Sequence, residues 1–357
     1  MSGSTHAHTR PSARRPEVVP PSRRRFRRPR RRTRRLLLAG ALLAAAAAVA
    51  LLVVLLTDED VPEPTQATRP SGPVAKVVGA PISIGESPSG VLSSPDGIWV
   101  VTAPGGSLLR LDEGLSRMQF PGTPIGGRPT ALAAAFRSIW IASADSGVVS
   151  RVSPHTRLVT ERIRVGDSPA WLSPDAQGLW VVNREDDTLV RINPTTNSLV
   201  GRPIQVGDEP TAVGSGGRSV WVTNSGDDTV SRINPRSRRV VATIDVGDHP
   251  TGLTVSRGAI WVANFEDDNV QRIDVDTDEV VATIPVGDGP NYPRLGGSVW
   301  VPNSLDGTLT RIDPKTNRVT GQPVRIAQTA DRMTVGIQNL WVTSYADQTL
   351  TRLEGAD

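Results

Sequence analysis

The chain has 357 residues, enough for one large or two ordinary domains, and its formal charge of +4 conceals an uneven distribution. Thirteen arginines and one acid, Glu17, fall in residues 1–35, leaving 27 basic against 35 acidic residues elsewhere, so the bulk of the protein is acidic. The absence of cysteine excludes a disulfide framework, thiol chemistry and any Cys-based metal site.

Residues 1–35 read as a disordered cytoplasmic tail, because Pro and Ser punctuate the arginines and no aromatic platform or helical period accompanies them. Leu36–Leu56 follows as an unbroken run of Leu, Ala, Val and one Gly. As a helix it would span about 30 Å, the thickness of a bilayer's hydrocarbon core. Arginines before it and "TDED" (Thr57–Asp60) after it place the N-terminus inside and the remainder outside, in a single-pass cell-membrane protein. The competing reading is a cleaved export signal, for which "TRRLLLAG" (Thr33–Gly40) would be the twin-arginine element. The run exceeds a usual signal core and no A-x-A site follows it, which favours a retained transmembrane helix. Residues 57–75 form a Pro-rich acidic linker, extended and structureless.

Residues 76–357 are repetitive. Trp99, Trp140, Trp180, Trp221, Trp261, Trp300 and Trp341 recur every 39 to 41 residues, each followed eleven positions later by an arginine, from Arg110 to Arg352. Pro88, Pro129, Pro169, Pro210, Pro250 and Pro290 mark a second beat, with Ala330 in the seventh copy. One copy holds four short β-branched runs, such as "TAVGS", "SVWVTN", "TVSRIN" and "RRVVATIDV". A unit of this length with four strands predicts a propeller blade, and the fold class is therefore all-β: a seven-bladed β-propeller of four-stranded blades. The seventh copy stops after its third strand, at "LTRLEGAD", whereas "VVGAPISIGESP" (Val77–Pro88) aligns with "LVGRPIQVGDEP" (Leu199–Pro210). The N-terminal strand is thus expected to complete the last blade, leaving no open radial edge. Pro81, Pro203 and Pro323 share one position in these fourth strands, as befits an outermost strand.

The motifs "WVTN", "WVVN" and "WVAN", with "VGD-x-P" between copies, resemble the YVTN family of β-propeller repeats, although "WVVTAPGGS" and "WIASADSGV" in the first two copies lack both the asparagine and the paired acids. The resemblance covers residues 77–354 and implies a seven-bladed, commonly extracytoplasmic propeller without a single activity. Streptogramin lyases have a similar form, and that resemblance implies a histidine–glutamate constellation with bound magnesium. Here the only propeller histidines, His155 and His249, belong to turns expected on opposite faces.

Residues present in every copy serve what every blade needs. The seven tryptophans are expected to fill the space between sheets, and the arginines to tie strands or blades together. Asp186–Asp187, Asp227–Asp228 and Asp267–Asp268 are expected to hold turns through bonds to nearby backbone N–H groups. The second-to-third strand turns and the crossovers emerge on one face, which gathers seventeen acids from Glu86 to Asp347, with few cations expected to oppose them. Such a field disfavours nucleic acid at the propeller and attracts cations or a basic partner. No cofactor is expected, and a divalent cation at the acidic face is left open.

Function is sought where one copy departs from its siblings. Two positions after the blade-entry proline the copies read Gly90, Ala131, Trp171, Ala212, Gly252, Tyr292 and Arg332; four positions after the repeat tryptophan they read Ala103, Ala144, Arg184, Ser225, Phe265, Ser304 and Tyr345. Trp171, Arg184, His249, Phe265, Tyr292, Arg332 and Tyr345 are therefore the candidate ligand- or partner-binding residues, the first series on innermost strands. The expected role is a non-catalytic extracytoplasmic scaffold for a protein or glycan partner; the alternative is a metal-dependent lyase or hydrolase using the acidic mouth.

Overall fold

In the computed structural model the described residues are 75–111, 118–216, 218–336 and 339–355, and all belong to the unit Thr68–Asp357. The segments read from sequence as an arginine-rich tail, a transmembrane helix and a linker lie, as far as residue 74, outside the described residues. The described residues form seven antiparallel sheets and no helix, six of the sheets each assembled from one repeat and the seventh from the last repeat and the N-terminal strand. Blade four shows the plan, with strands Pro210–Gly216, Ser219–Asn224, Thr229–Asn234 and Arg239–Asp245 hydrogen-bonded in that order. Its second strand is buried at every position, because neighbouring blades cover both faces, whereas its outermost strand alternates exposed with part-buried positions and buries only Ile244.

The blade-entry prolines have a shared consequence. In five blades the ladder slips between the proline and the residue two further on, for example between Pro210 and Ala212. The intervening residue bulges out of register. Three of these residues, Thr130, Thr211 and Thr251, donate their hydroxyls to the carbonyls of Pro169, Pro250 and Pro290 in the next blade, at 2.8, 2.8 and 3.1 Å. The bulge thereby links successive innermost strands around the ring.

The ring closes as expected. Lys76 and Val77 pair with Glu354 and Leu353, Ile82 and Ser83 with Leu350 and Thr349, and Ala75 and Ile84 are buried beside them. Proline at the shared position, Pro81, Pro203 or Pro323, splits the outermost strand of its blade. Blade three has Ser198–Leu199 and Ile204–Gln205, blade six has Arg318–Val319 and Val324–Arg325, and blade seven has Lys76–Val77 and Ile82–Ser83, where blades four and five have one continuous strand. The inner strand of blade six departs from the expected pattern. It shrinks to Arg294–Leu295, so Tyr292 stands off any strand, because Pro293 supplies no ladder donor.

All seven repeat tryptophans are at most 5% exposed, filling the space between sheets. Each repeat arginine stands directly opposite its tryptophan across the second and third strands, with its guanidinium 5.0 to 5.9 Å from the indole centroid. Several reach the next blade as well. Arg151 donates to Pro194 O and Asn197 Oδ1, Arg232 to both carboxylate oxygens of Asp278 at 2.8 Å, and Arg272 to Asn317 Oδ1. Between blades three and four the link runs backwards: Arg238 donates to the carbonyls of Val200 and Arg202. Burial, with Arg191 nearby, lowers the Arg238 pKa.

Candidate functional site

The acidic turns divide their two carboxylates between two crossovers. Oδ2 of the first acid accepts the backbone N–H of the crossover entering its own blade: Asp186 from Asp167, Asp227 from Asp208, Asp267 from Asp248 and Asp306 from Asp288. Oδ1 of the second acid accepts from the crossover leaving it: Asp187 from Glu209, Asp228 from His249 and Asp268 from Gly289, each at 2.9 Å. The second acid is also left-handed, at φ 55, 56 and 52°, where other blades carry Gly106, Gly147 or Gly307. Asn and Asp tolerate that region better than most residues. The paired aspartates are turn residues that stitch each blade to both neighbours.

The expectation that few cations oppose the acids needs correcting on one side of the face. Arg128 pairs with Asp145 at 3.2 Å, Arg164 with Asp167 at 2.6 Å and Arg184 with Glu209 at 2.8 Å. The crossovers and turns around blades two to four carry arginines as well as acids, and side-chain length lets them meet. On blades four to seven Asp227, Asp228, Glu266, Asp267, Asp268, Asp288, Asp306 and Asp347 form no ion pair among the described residues. The negative field is therefore concentrated on that sector.

The seven candidate residues do not form one site. Trp171, Tyr292 and Arg332 meet in the channel at the centre of the ring, where Gly90, Val91, Ala131, Leu132, Trp171, Arg294, Arg332 and Met333, from blades one, two, three, six and seven, line a common cavity. The Trp171 and Tyr292 rings stack 4.4 Å apart at 16°, and the Arg332 guanidinium lies 3.5 Å from the tyrosine centroid. His249 and Phe265 form a second group at the mouth, edge to face at 6.1 Å. A side chain at Gly289 would clash with Leu305 and press on Phe265, which brings exposed Leu305 into this ridge. Arg184, paired with Glu209, and Tyr345, half exposed, join neither group.

The channel also holds Arg294, which the two position series passed over. Its guanidinium is 5.0 Å from the Trp171 centroid, and that of Arg332 is 5.4 Å away. Protein surrounds both side chains, yet each is only half-buried by accessible surface, as expected of groups that meet water along a narrow channel. Burial, with the neighbouring Arg332 charge, lowers the Arg294 pKa to about 10. Burial also lowers the Arg332 pKa, with Tyr292 and Asp331 pulling the other way. A signal for Arg294 was present in the sequence. It lies four positions after the entry proline, on the same strand face as the position two after it. The other copies have Leu92, Ala133, Ser173, Gly214, Thr254 and Thr334 there. Tyr292 in turn needs Gly252, whose Cα faces the Tyr292 backbone too closely for any side chain. Among the described residues no group of three His, Cys, Asp or Glu side chains is arranged to hold a metal ion.

No protein-family model and no curated protein sequence matches the chain. Solved structures do. A virginiamycin B lyase from Staphylococcus aureus is 14% identical with a TM-score of 0.69, over 79% of this chain and 100% of that one. The hydrazine synthase of Kuenenia stuttgartiensis is 16% identical with a TM-score of 0.65, over 84% and 100%. The WD40 β-propeller domain of Doa1 is 14% identical with a TM-score of 0.65, over 79% and 95%. Lyase, synthase and WD40 domain share this architecture at such low identity that the likeness establishes the fold alone: a seven-bladed β-propeller of four-stranded blades.

Proposed function

We propose that the protein is a membrane-anchored, extracytoplasmic YVTN-type propeller that serves as a binding scaffold, docking a protein partner at the mouth of the ring. The observation that carries this reading is the ridge of His249, Phe265 and exposed Leu305 within the sector of unpaired acids on blades four to seven. An aromatic and an aliphatic side chain on a rigid rim, surrounded by one sign of charge, suit a partner that presents an apolar knob among basic residues. The topology follows from the Leu36–Leu56 run and the arginines before it.

Two experiments test the reading. Protease treatment of intact cells should degrade the propeller and spare the N-terminal tail; a protected propeller would reverse the topology. Cross-linking and pull-down of the full-length protein from membranes should recover a partner that Phe265→Ala and Leu305→Asp both lose. Undiminished recovery with both variants would remove the ridge from consideration, and release by a glycan competitor would replace the protein partner with a carbohydrate.

A further inference from the structure

The central channel carries a second binding feature that owes nothing to the mouth. Arg294 and Arg332 come from the innermost strands of blades six and seven and flank the same indole, Trp171, at 5.0 and 5.4 Å. Neither forms an ion pair among the described residues. Each uses Nε for one long bond to backbone, Arg294 to Met333 O at 3.4 Å and Arg332 to Ser89 O at 3.3 Å. Their terminal amino groups bond to no protein atom among the described residues. Asp331, whose charge acts on Arg332, spends its Oδ2 elsewhere: it accepts from Thr329 Oγ1 and from the Tyr345 N–H, each at 2.6 Å.

Packing alone gives no reason for this pair. The other copies fill the same two positions mainly with Gly, Ala, Ser, Thr or Leu, so neutral side chains suffice to build an innermost strand. Two like charges confined by protein lose hydration: burial lowers both pKa values, and the Arg332 charge lowers that of Arg294 further. A planar guanidinium matches the oxygen pair of a carboxylate or phosphate through parallel N–H bonds, and an anion between two guanidiniums would offset both penalties.

We propose that the channel cavity between Arg294, Arg332 and Trp171 is a binding site for a small oxyanion, the carboxylate or phosphate group of a ligand entering along the axis. The cleft measures about 210 Å³ including open solvent, and the room in it for the centre of a water molecule is about 10 Å³. That room matches one water position, so a single oxygen of the anion takes it and the rest of the group stays in the opening. Trp171 forms the aromatic wall, Tyr292 stacks on it, and the two rings hold the guanidiniums in place by cation–π contact.

The test is calorimetric titration and thermal unfolding of the full-length protein in detergent, with inorganic phosphate and with acetate, against sodium chloride at equal ionic strength. Phosphate stabilises proteins generally, so the readout is the difference between wild type and variants in the same buffer. Wild type should bind one anion and unfold at a higher temperature with phosphate or acetate than with chloride. Arg294→Gln and Arg332→Gln should each weaken binding about tenfold or more, the usual loss of a charged hydrogen-bond donor. Arg184→Gln on the rim should bind like wild type. Preference for acetate identifies a carboxylate ligand, and preference for phosphate a phosphorylated one. Arg294→Met guards against a variant that merely misfolds: in chloride it should unfold no lower than wild type, because it relieves repulsion. Equal behaviour of all three anions with wild type would overturn the proposal. So would a lower unfolding temperature of Arg294→Met in chloride, which would mark the pair as structural.

Discussion

Blade four takes its strands from consecutive sequence, whereas blade seven borrows its outermost strand from the start of the folded unit. In blade four, Arg239–Asp245 pairs along Thr229–Asn234 from Thr229↔Asp245 to Asn234↔Arg239. In blade seven the corresponding ladder is confined to Lys76↔Glu354, Val77↔Leu353, Ile82↔Leu350 and Ser83↔Thr349. Blade seven is also reduced on its inner side, to Arg332–Val335 against the seven residues of Pro210–Gly216. The difference teaches that closure depends on a few buried anchors, Ala75 and Ile84 among them, more than on a long ladder. The seam is where the ring should open first, since local opening starts where backbone pairing is sparsest.

The largest effect should come from cutting the seam. A fragment of residues 87–357 should unfold on the order of 10 °C below one of residues 72–357, because each lost apolar anchor is worth about 1.5–3 kcal/mol. Circular dichroism melts of the two would show it, and coincident melts would mean that blade seven stands without its borrowed strand. Next comes Trp221→Ala, which empties the space between blade four and its neighbours and should cost about 3–5 kcal/mol in a denaturant titration. A loss below about 1 kcal/mol would show that the sheets close over the gap.

Smaller effects separate the two blades more finely. Arg232 ties blade four to Asp278 of blade five, whereas among the described residues Arg352 bonds to Asn339 and Glu354 of its own blade. Arg232→Ala should therefore cost about 1–3 kcal/mol and Arg352→Ala less than about 1 kcal/mol. Equal losses would place the whole contribution in the shared contact with tryptophan. The smallest effect concerns acid. Asp274 accepts the N–H groups of Asp276 and Thr277, which lower its pKa, whereas blade four uses Asn234 for the same turn. A carboxyl whose folded pKa lies below its unfolded value adds stability above the unfolded value and loses it as pH falls through the folded one. Asp274→Asn should thus leave the melting temperature at pH 7 unchanged and flatten its decline below about pH 4. An unaltered acid decline would assign that loss to other carboxylates.

Much of the fold was legible in sequence because a repeat states its requirements several times over. Seven tryptophans at one spacing, arginines eleven residues behind them, and an orphan strand aligned with Leu199–Pro210 specify blade number and closure partner. That Asp186–Asp187 and its copies sit in turns was equally plain, but the bonds shown for their carboxylates run to crossovers distant in sequence and not, as expected, to nearby backbone N–H groups. The candidate site was read in part. Trp171, Tyr292 and Arg332 stood out as departures from small siblings, whereas Arg294 was passed over on the same strand face. The ion pairs of Arg128, Arg164 and Arg184 were hidden because a long flexible side chain chooses its partner by rotamer and distance, neither of which a spacing records.

By itself, then, the sequence determined what depends on neighbours in the chain: the strands, their turns, the period of the blades and the identity of the closing strand. Tertiary structure decided what meets across the ring. Trp171 and Tyr292 belong to blades three and six and stack because the closed circle makes the channel narrow enough for both. Ring diameter and the shortening of blade six at Pro293 place two arginines against one indole, and both are properties of seven packed sheets together.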